Sequence, residues 1–188
     1  MIPVAGSASD FGLPAAAALA DSIAVDAAPT MDGKWVLRQD IVLLHILRNN
    51  RWRRPLCYST TVGDQGMAWL KPYRRLDGLF WRIVPRADPP VNRDVLRQNL
   101  LARYAYRGYA EPNVPLDDVS RNIARSYYRP FVALARAEYD HGDRDRCRET
   151  REAVLRVLPV SRLEPDSTLR REVERLCAAD AGSRRTGR

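Results

Sequence analysis

The stretch from residue 40 to residue 85 constrains the fold of this chain more than any other. It opens with an apolar run over residues 41–47, which only His45 interrupts. A helix over this run is apolar on nearly every face, so we predict that other elements cover it and that it belongs to the core. Asp40 lies favourably near the positive end of that helix.

A strand follows this helix. Pro55 biases Arg54 toward extended backbone and therefore ends the helix before it. The residues that follow, as far as Val62, fall into two alternating sets, which is typical of a strand. The sets are Leu56, Tyr58 and Thr60, and Cys57, Ser59 and Thr61. The same kind of pattern predicts strands near residues 2–5, 22–27, 56–62 and 79–84, helices near residues 39–50 and 66–75, and a short helix over residues 14–20.

The second half of the chain has helical periodicity. Asn92 begins a helix that stops at Gly108, and a proline-bounded loop follows over residues 111–115. The sequence thus predicts an α+β fold, in which a small mixed sheet packs on helices and precedes an all-helical tail. The predicted domains are a mixed α+β domain at 1–110, a helical tail at 111–180 and a disordered basic C-terminus at 181–188.

The helical tail is similar to one tetratricopeptide repeat. A helix begins at Asp117, and Pro130 is expected to kink it; a turn at residues 141–143 precedes a second helix, and a third begins near Asp166. The repeat-like spacing is carried by Phe131, Leu134, Ala135, Cys147, Val154 and Pro159. A single repeat is too short for a free-standing solenoid, which needs about three repeats.

The net charge of +8 is concentrated in one part of the chain. Residues 1–50 carry three basic and five acidic groups, residues 51–110 carry twelve and four, and residues 111–188 carry sixteen and fourteen. Nearly all the cations are arginines, which suits recognition of phosphate or carboxylate but also follows from a GC-rich genome. A nucleic-acid interface would need a basic face with interleaved aromatic residues, and we expect the aromatic residues in the core.

Cysteine and histidine are too few and too scattered to indicate catalysis or metal binding. Cys57, Cys147 and Cys177 have no metal-ligand spacing and are interpreted as buried small apolar residues. His45 and His141 are the only histidines. We therefore predict no catalytic residues, no metal and no cofactor in this chain.

The basic turn, residues 50–54, is the candidate ligand site. In the structural interpretation, Asn50 caps the helix, Trp52 closes the edge of the core and the arginines are solvated. In the functional interpretation, Arg53 or Arg54 holds a phosphate or sugar phosphate while Trp52 stacks on a sugar. The sequence favours the structural interpretation, and the candidate ligand-binding set is Asn50, Trp52, Arg53 and Arg54.

Two motifs give the chain a resemblance to a known family. L-x-x-N-N-x-W-x-R-P-L-x-Y-S-T-T-V is followed by L-K-P-Y-x-x-L-D-G-L-F-W-R-I-V-P. They resemble the segment after the membrane-spanning part of a family of multispanning proteins. The bacterial members of this family are described as a domain of unknown function, and the family is related to the animal plexin-type protein O-mannosyltransferase. The matching residues are Asn49, Asn50, Trp52, Arg54, Pro55, Tyr58, Tyr73, Gly78, Leu79, Arg82, Val84 and Pro85, with Asp77 in place of Glu and Trp81 in place of Tyr.

The resemblance, clearest over residues 40–159, implies a function for the whole chain. It implies a soluble extracytoplasmic domain of a GT-C-type membrane glycosyltransferase, which assists acceptor binding or packs on the membrane domain. Such a domain would not be catalytic alone, because the membrane domain that holds the lipid-linked sugar is not in these residues. The expected partners are that membrane domain or the membrane surface, and an acceptor protein, but no nucleic acid. The alternative is a tetratricopeptide-like protein-interaction module without glycosyl chemistry.

Overall fold

The structure of the chain, a computed structural model, describes residues 1–26, 28–29, 31–62, 64–163, 167–175 and 177. The predicted disordered segment at 181–188 and the predicted cap Asp166 lie outside these residues. The chain divides into two compact units, Met1–Asn92 and Arg93–Arg188, called here the N-terminal and C-terminal units. The sequence predicts a boundary between folding domains at residue 110, and that boundary remains a prediction.

The described residues of the N-terminal unit form two small antiparallel sheets. One pairs β1 (Ile2–Pro3) with β2 (Ser22–Ile23). The other has the order β3 (Leu56–Ser59), β5 (Phe80–Ile83), β4 (Arg74–Leu76), with Leu56 opposite Ile83 and Arg74 opposite Ile83 on the other side. The predicted α+β class is confirmed, although the strands pair antiparallel rather than in one mixed sheet.

Helix α1 (Arg38–Asn50) lies where the sequence predicts it, but the expectation that it is buried on nearly every face is wrong. Leu47 is fully buried, whereas Ile41, Val42 and Ile46 are 46–55% exposed. The described core of this unit covers α1 on one side only, through a cluster that includes Ile2, Ile23, Leu70 and Ile83. A helix covered on one side leaves its other face in solvent whatever its sequence.

The remaining elements of the N-terminal unit depart from the predicted ones locally. A 3₁₀ helix (Ala8–Phe11) forms where none was predicted, and residues 14–20 form no helix. The predicted helix near 66–75 is a 3₁₀ helix (Asp64–Tyr73) that gives way to β4. The second predicted strand is shorter than expected, because β2 ends at Ile23.

A buried ion pair fixes the N-terminal segment onto the three-stranded sheet. Arg75 and Asp77 are 2% and 1% exposed, and two guanidinium nitrogens donate to the two carboxylate oxygens at 2.6 and 2.8 Å. A third nitrogen of Arg75 donates to the carbonyl oxygen of Gly12 at 2.9 Å. Gly12 has φ +63°, and a Cβ there would lie 3.1 Å from the Arg75 guanidinium, so this glycine permits the close approach.

The C-terminal unit is helical throughout its described elements. Helix α2 (Arg93–Arg97) continues as a π-helical segment (Gln98–Arg103) and is followed by a loop. Next come α3 (Asp118–Ser126), α4 (Tyr128–Asp140), α5 (Arg144–Val157), α6 (Val160–Leu163) and α7 (Ser167–Arg175). Side-chain caps start two of them, since Asp117 accepts from the Ser120 N–H at 2.7 Å and Asp143 accepts from that of Arg146. The hydrogen bond from Ser120 lowers the pKa of Asp117.

Pro130 interrupts the predicted helix rather than kinking it. α3 ends before Tyr127, and α4 begins at Tyr128, which places Pro130 in the first turn. A proline is tolerated there because the N–H it lacks has no intrahelical partner. α4 and α5 then pack as an antiparallel hairpin in which Leu134, Ala135 and Val154 are buried. The hairpin was predicted; its assignment to the tetratricopeptide class remains a prediction.

The cysteines correct their sequence interpretation. Cys147 and Cys177 form a disulfide with Cα atoms 5.8 Å apart, and Cys57 is free and exposed. The bond joins the start of α5 to the residues after α7, which the spacing of 30 residues alone did not reveal. Among the described residues, no helix has both the length and the hydrophobicity to cross a bilayer.

Candidate functional site

The basic turn is a tight connection between α1 and β3. Arg51 and Trp52 both adopt left-handed backbone, with φ of 47° and 61°. The Asn50 side-chain amide donates to the carbonyl oxygen of Arg54 at 2.7 Å, and the Arg53 N–H donates to the carbonyl oxygen of Asn50 at 2.9 Å. These two bonds hold the turn closed. The C-cap of α1 is Arg51, in left-handed backbone, rather than the predicted Asn50, which is the last residue of the helix.

Trp52 is half-buried and joins two apolar clusters of the N-terminal unit. Its indole N–H donates to the carbonyl oxygen of Pro3 at 2.8 Å, and its ring meets that of Phe11 edge to face, with centroids 5.6 Å apart. With one edge bonded and one side packed, the indole is fixed in the core edge. These contacts agree with the structural interpretation of Trp52; binding of a sugar or anion by the turn remains a prediction.

Unlike Trp52, the arginines at the basic turn are exposed. Arg48 near the end of α1 and Arg51, Arg53 and Arg54 in the turn are exposed, and no described residue forms an ion pair or side-chain hydrogen bond with their guanidinium groups. These four unpaired cations lie within seven positions at the C-terminal end of α1. The negative end of the helix dipole stabilises positive charge there. They also leave strong donors free for an external anion.

The outer face of α1 is defined here as Ile41, Val42, His45 and Ile46. Positions i, i+1, i+4 and i+5 lie on one side of a helix, and all four side chains are exposed. Trp35, three residues before α1 begins, is 65% exposed. Reasoning from the sequence missed this surface, because a run apolar on all sides indicates burial but not which side stays uncovered.

The described residues contain no group of three or more His, Cys, Asp or Glu side chains placed to hold a metal ion. The polar chemistry of the N-terminal unit is instead arginine donors, either paired inside, as at Arg75, or unpaired outside, as at the turn. Such an arrangement can bind anions, and the apolar outer face of α1 can pack against another apolar surface.

Comparison with known protein families gives a match that covers just under half of the chain. Residues 14–99 match the family model described as TMEM260-associated domain 2. The matched segment contains α1, the basic turn and the three-stranded sheet, and it ends inside the π-helical segment. This match is consistent with the predicted relation to O-mannosyltransferase-like membrane proteins. No curated protein and no solved structure matches the chain.

Proposed function

We propose that this chain is an extracytoplasmic accessory domain of a GT-C-type membrane glycosyltransferase related to protein O-mannosyltransferases. It docks on the membrane surface beside that enzyme through α1 and the basic turn, and it assists acceptor binding without transferring sugar by itself. The relation to TMEM260-associated domain 2 supports the glycosyltransferase context.

One observation carries the docking role, namely the exposed apolar outer face of α1 that runs into four unpaired arginines. An apolar helix face next to cationic side chains is the surface chemistry that suits an anionic bilayer interface. Burying an aliphatic side chain fully is worth about 1.5–3 kcal/mol, and an arginine near an anionic surface adds about 1 kcal/mol. The three aliphatic side chains and the turn arginines together can therefore hold a domain that the membrane part already tethers.

The disulfide supports placement outside the cytoplasm. Disulfides persist in oxidising compartments and are rare where thiols are kept reduced. The Cys147 side chain is fully buried, and its bond to Cys177 links α5 to the end of the described chain. An extracytoplasmic location explains why this pair would be oxidised.

Vesicle flotation tests the proposal. The chain is expected to float with vesicles of phosphatidylcholine and phosphatidylglycerol, and to bind less at high salt because exposed charges are screened. Val42→Ser/Ile46→Ser removes apolar surface from the outer face of α1 and should weaken binding by about tenfold or more. Arg53→Ala/Arg54→Ala should reduce the dependence on anionic lipid and on salt by about half, since Arg48 and Arg51 remain.

The matched controls are exposed positions in the C-terminal unit. Val119→Ser, at a 66% exposed valine, and Arg129→Ala, at an exposed arginine, should leave flotation unchanged. Equal flotation of the wild-type chain and Val42→Ser/Ile46→Ser, or no preference for anionic over neutral vesicles, would overturn the proposed docking surface.

A tetratricopeptide-like interaction module is the second candidate, and the α4–α5 hairpin favours it. Its core follows the predicted small and aliphatic positions, with Ala135 and Val154 nearly inaccessible. In that case an acceptor or partner protein would bind the helical tail, and variants of α1 would leave that binding intact.

A further inference from the structure

A cavity of about 670 Å³ opens within the C-terminal unit. It lies among the α2 and π-helical segments, the loop after them, and the facing sides of α4 and α5. Its size falls within the roughly 300–1,000 Å³ of small-molecule sites. None of its lining residues belongs to the basic turn or to the outer face of α1.

Arg97 and Glu149 line the cavity and already have charged partners. Arg97 donates to Glu138 at 2.9 Å and also pairs with Glu149, while the hydroxyl of Thr150 donates to the second oxygen of Glu138 at 2.7 Å. Glu138 is 1% exposed, and both of its carboxylate oxygens have a hydrogen-bond partner. This network fixes one wall, and its own cation is neutralised by two carboxylates.

The apolar wall is equally fixed. Leu100 and Phe131 are each 1% exposed. The hydroxyl of Tyr106 donates to the carbonyl oxygen of Leu100 at 3.0 Å, and its ring centroid lies 5.7 Å from that of Phe131. Burial raises the pKa of Tyr106 far above its usual range, so this wall stays uncharged at neutral pH. A rigid aromatic and aliphatic surface suits the apolar body of a ligand.

The unpaired charge of the cavity is positive. Arg107 and Arg156 line it, are exposed, and have no ion-pair or side-chain hydrogen-bond partner among the described residues. Glu152 is the one lining carboxylate without such a partner in the described part of the chain. Two guanidinium groups against one carboxylate leave an excess cation beside an apolar surface.

We propose that this cavity binds a small organic anion, whose carboxylate or phosphate group is held by Arg107 and Arg156 and whose apolar body lies against Leu100, Tyr106 and Phe131. The site is independent of the membrane-docking surface, because every lining residue belongs to the C-terminal unit. The two head groups share one chemistry, bidentate acceptance from arginine.

Isothermal titration calorimetry with octanoate, octyl phosphate and octanol tests the site. At least one of the two anions should bind saturably at one to one, and more tightly than octanol. Which anion binds better decides between a carboxylate and a phosphate ligand. Arg107→Ala/Arg156→Ala should weaken the binding of that anion by about tenfold or more. Ala105→Trp, at an exposed lining position, should block the cavity without disturbing the core.

Two matched variants keep the result specific. Arg129→Ala removes an exposed arginine outside the cavity, and Val42→Ser/Ile46→Ser alters the docking surface; neither should change anion binding. Amide chemical-shift changes should centre on residues 100–107. The proposal fails if octanol binds as tightly as both anions, if no ligand binds saturably, if the double arginine variant binds normally, or if the shifts lie only in the N-terminal unit.

Discussion

The two compact units of the chain are stabilised by different interactions. In the N-terminal unit, side-chain donors reach backbone carbonyls far away along the sequence. Trp52 donates to Pro3, Trp69 to Ala28, Tyr73 to Ala24, and Arg75 to Gly12, with separations of 41 to 63 residues. These donors bond to the backbone carbonyls of a segment that has few strand or helix hydrogen bonds of its own. Elsewhere, regular secondary structure provides such bonds.

In the C-terminal unit, helices satisfy the backbone and apolar packing joins the helices. Tyr128, Leu134, Leu158 and Leu163 are all 0% exposed. Where this unit does lack regular structure, a single arginine compensates: Arg162 donates to the carbonyl oxygens of Gly108 and Tyr109 at 3.1 Å each, and also to those of Glu111 and Val114.

The difference teaches where each unit is vulnerable. Losing Arg75 leaves the buried Asp77 carboxylate without its cation, whereas losing an apolar side chain leaves a cavity. Four tryptophans, Trp35, Trp52, Trp69 and Trp81, all lie in the N-terminal unit, so tryptophan emission reports on that unit. Far-UV circular dichroism reports mainly on the helices of the other.

The largest effect is expected from breaking the buried ion pair. Arg75→Met leaves the Asp77 carboxylate buried without its cation, which should lower the free energy of unfolding by about 3–5 kcal/mol. Urea unfolding followed by tryptophan emission measures it. Arg75→Met/Asp77→Leu removes both charges and should recover much of the loss. If the single and double variants are equally unstable, the loss does not come from the orphaned charge.

The second-largest loss of stability is expected from a core substitution in the C-terminal unit. Leu134→Ala removes a fully buried side chain from α4, and the resulting cavity should cost about 3 kcal/mol. The far-UV signal during urea unfolding is the readout. Val119→Ala, at an exposed valine of α3, should change stability by less than about 0.5 kcal/mol. A far-UV transition that Leu134→Ala leaves in place would mean that packing does not dominate this unit.

Sequence patterns predicted the elements that repeat a periodicity and missed those that depend on a distant partner. α1 was predicted at 39–50 because its apolar run and Pro55 mark both ends, and it spans Arg38–Asn50. β4 was missed because its first two residues, Arg74 and Arg75, were predicted as the end of a helix near 66–75. Arg75 is buried only because Asp77 and the carbonyl of Gly12 pair with it.

The candidate sites show the same limit. The basic turn was predicted as a tight corner from Asn50 to Arg54, and its closing hydrogen bonds form. The exposed face of α1, the disulfide and the cavity of the C-terminal unit were not predicted. Each depends on which element covers which, and a sequence pattern that repeats along one element carries no information about its neighbours.

The smallest effect separates structure from binding inside the basic turn itself. Trp52→Phe keeps an aromatic ring against Phe11 but removes the indole donor to the carbonyl oxygen of Pro3. Because Pro3 is exposed, water can replace part of that bond, and the cost should be only about 1 kcal/mol in urea unfolding followed by emission. Vesicle flotation of Trp52→Phe should match the wild-type chain. Arg53→Ala, the matched variant, should reverse the pattern, with stability changed by less than about 0.5 kcal/mol and weaker flotation. If Trp52→Phe weakened flotation while leaving stability intact, the indole would belong to the binding surface and the polar tie to Pro3 would not be its role.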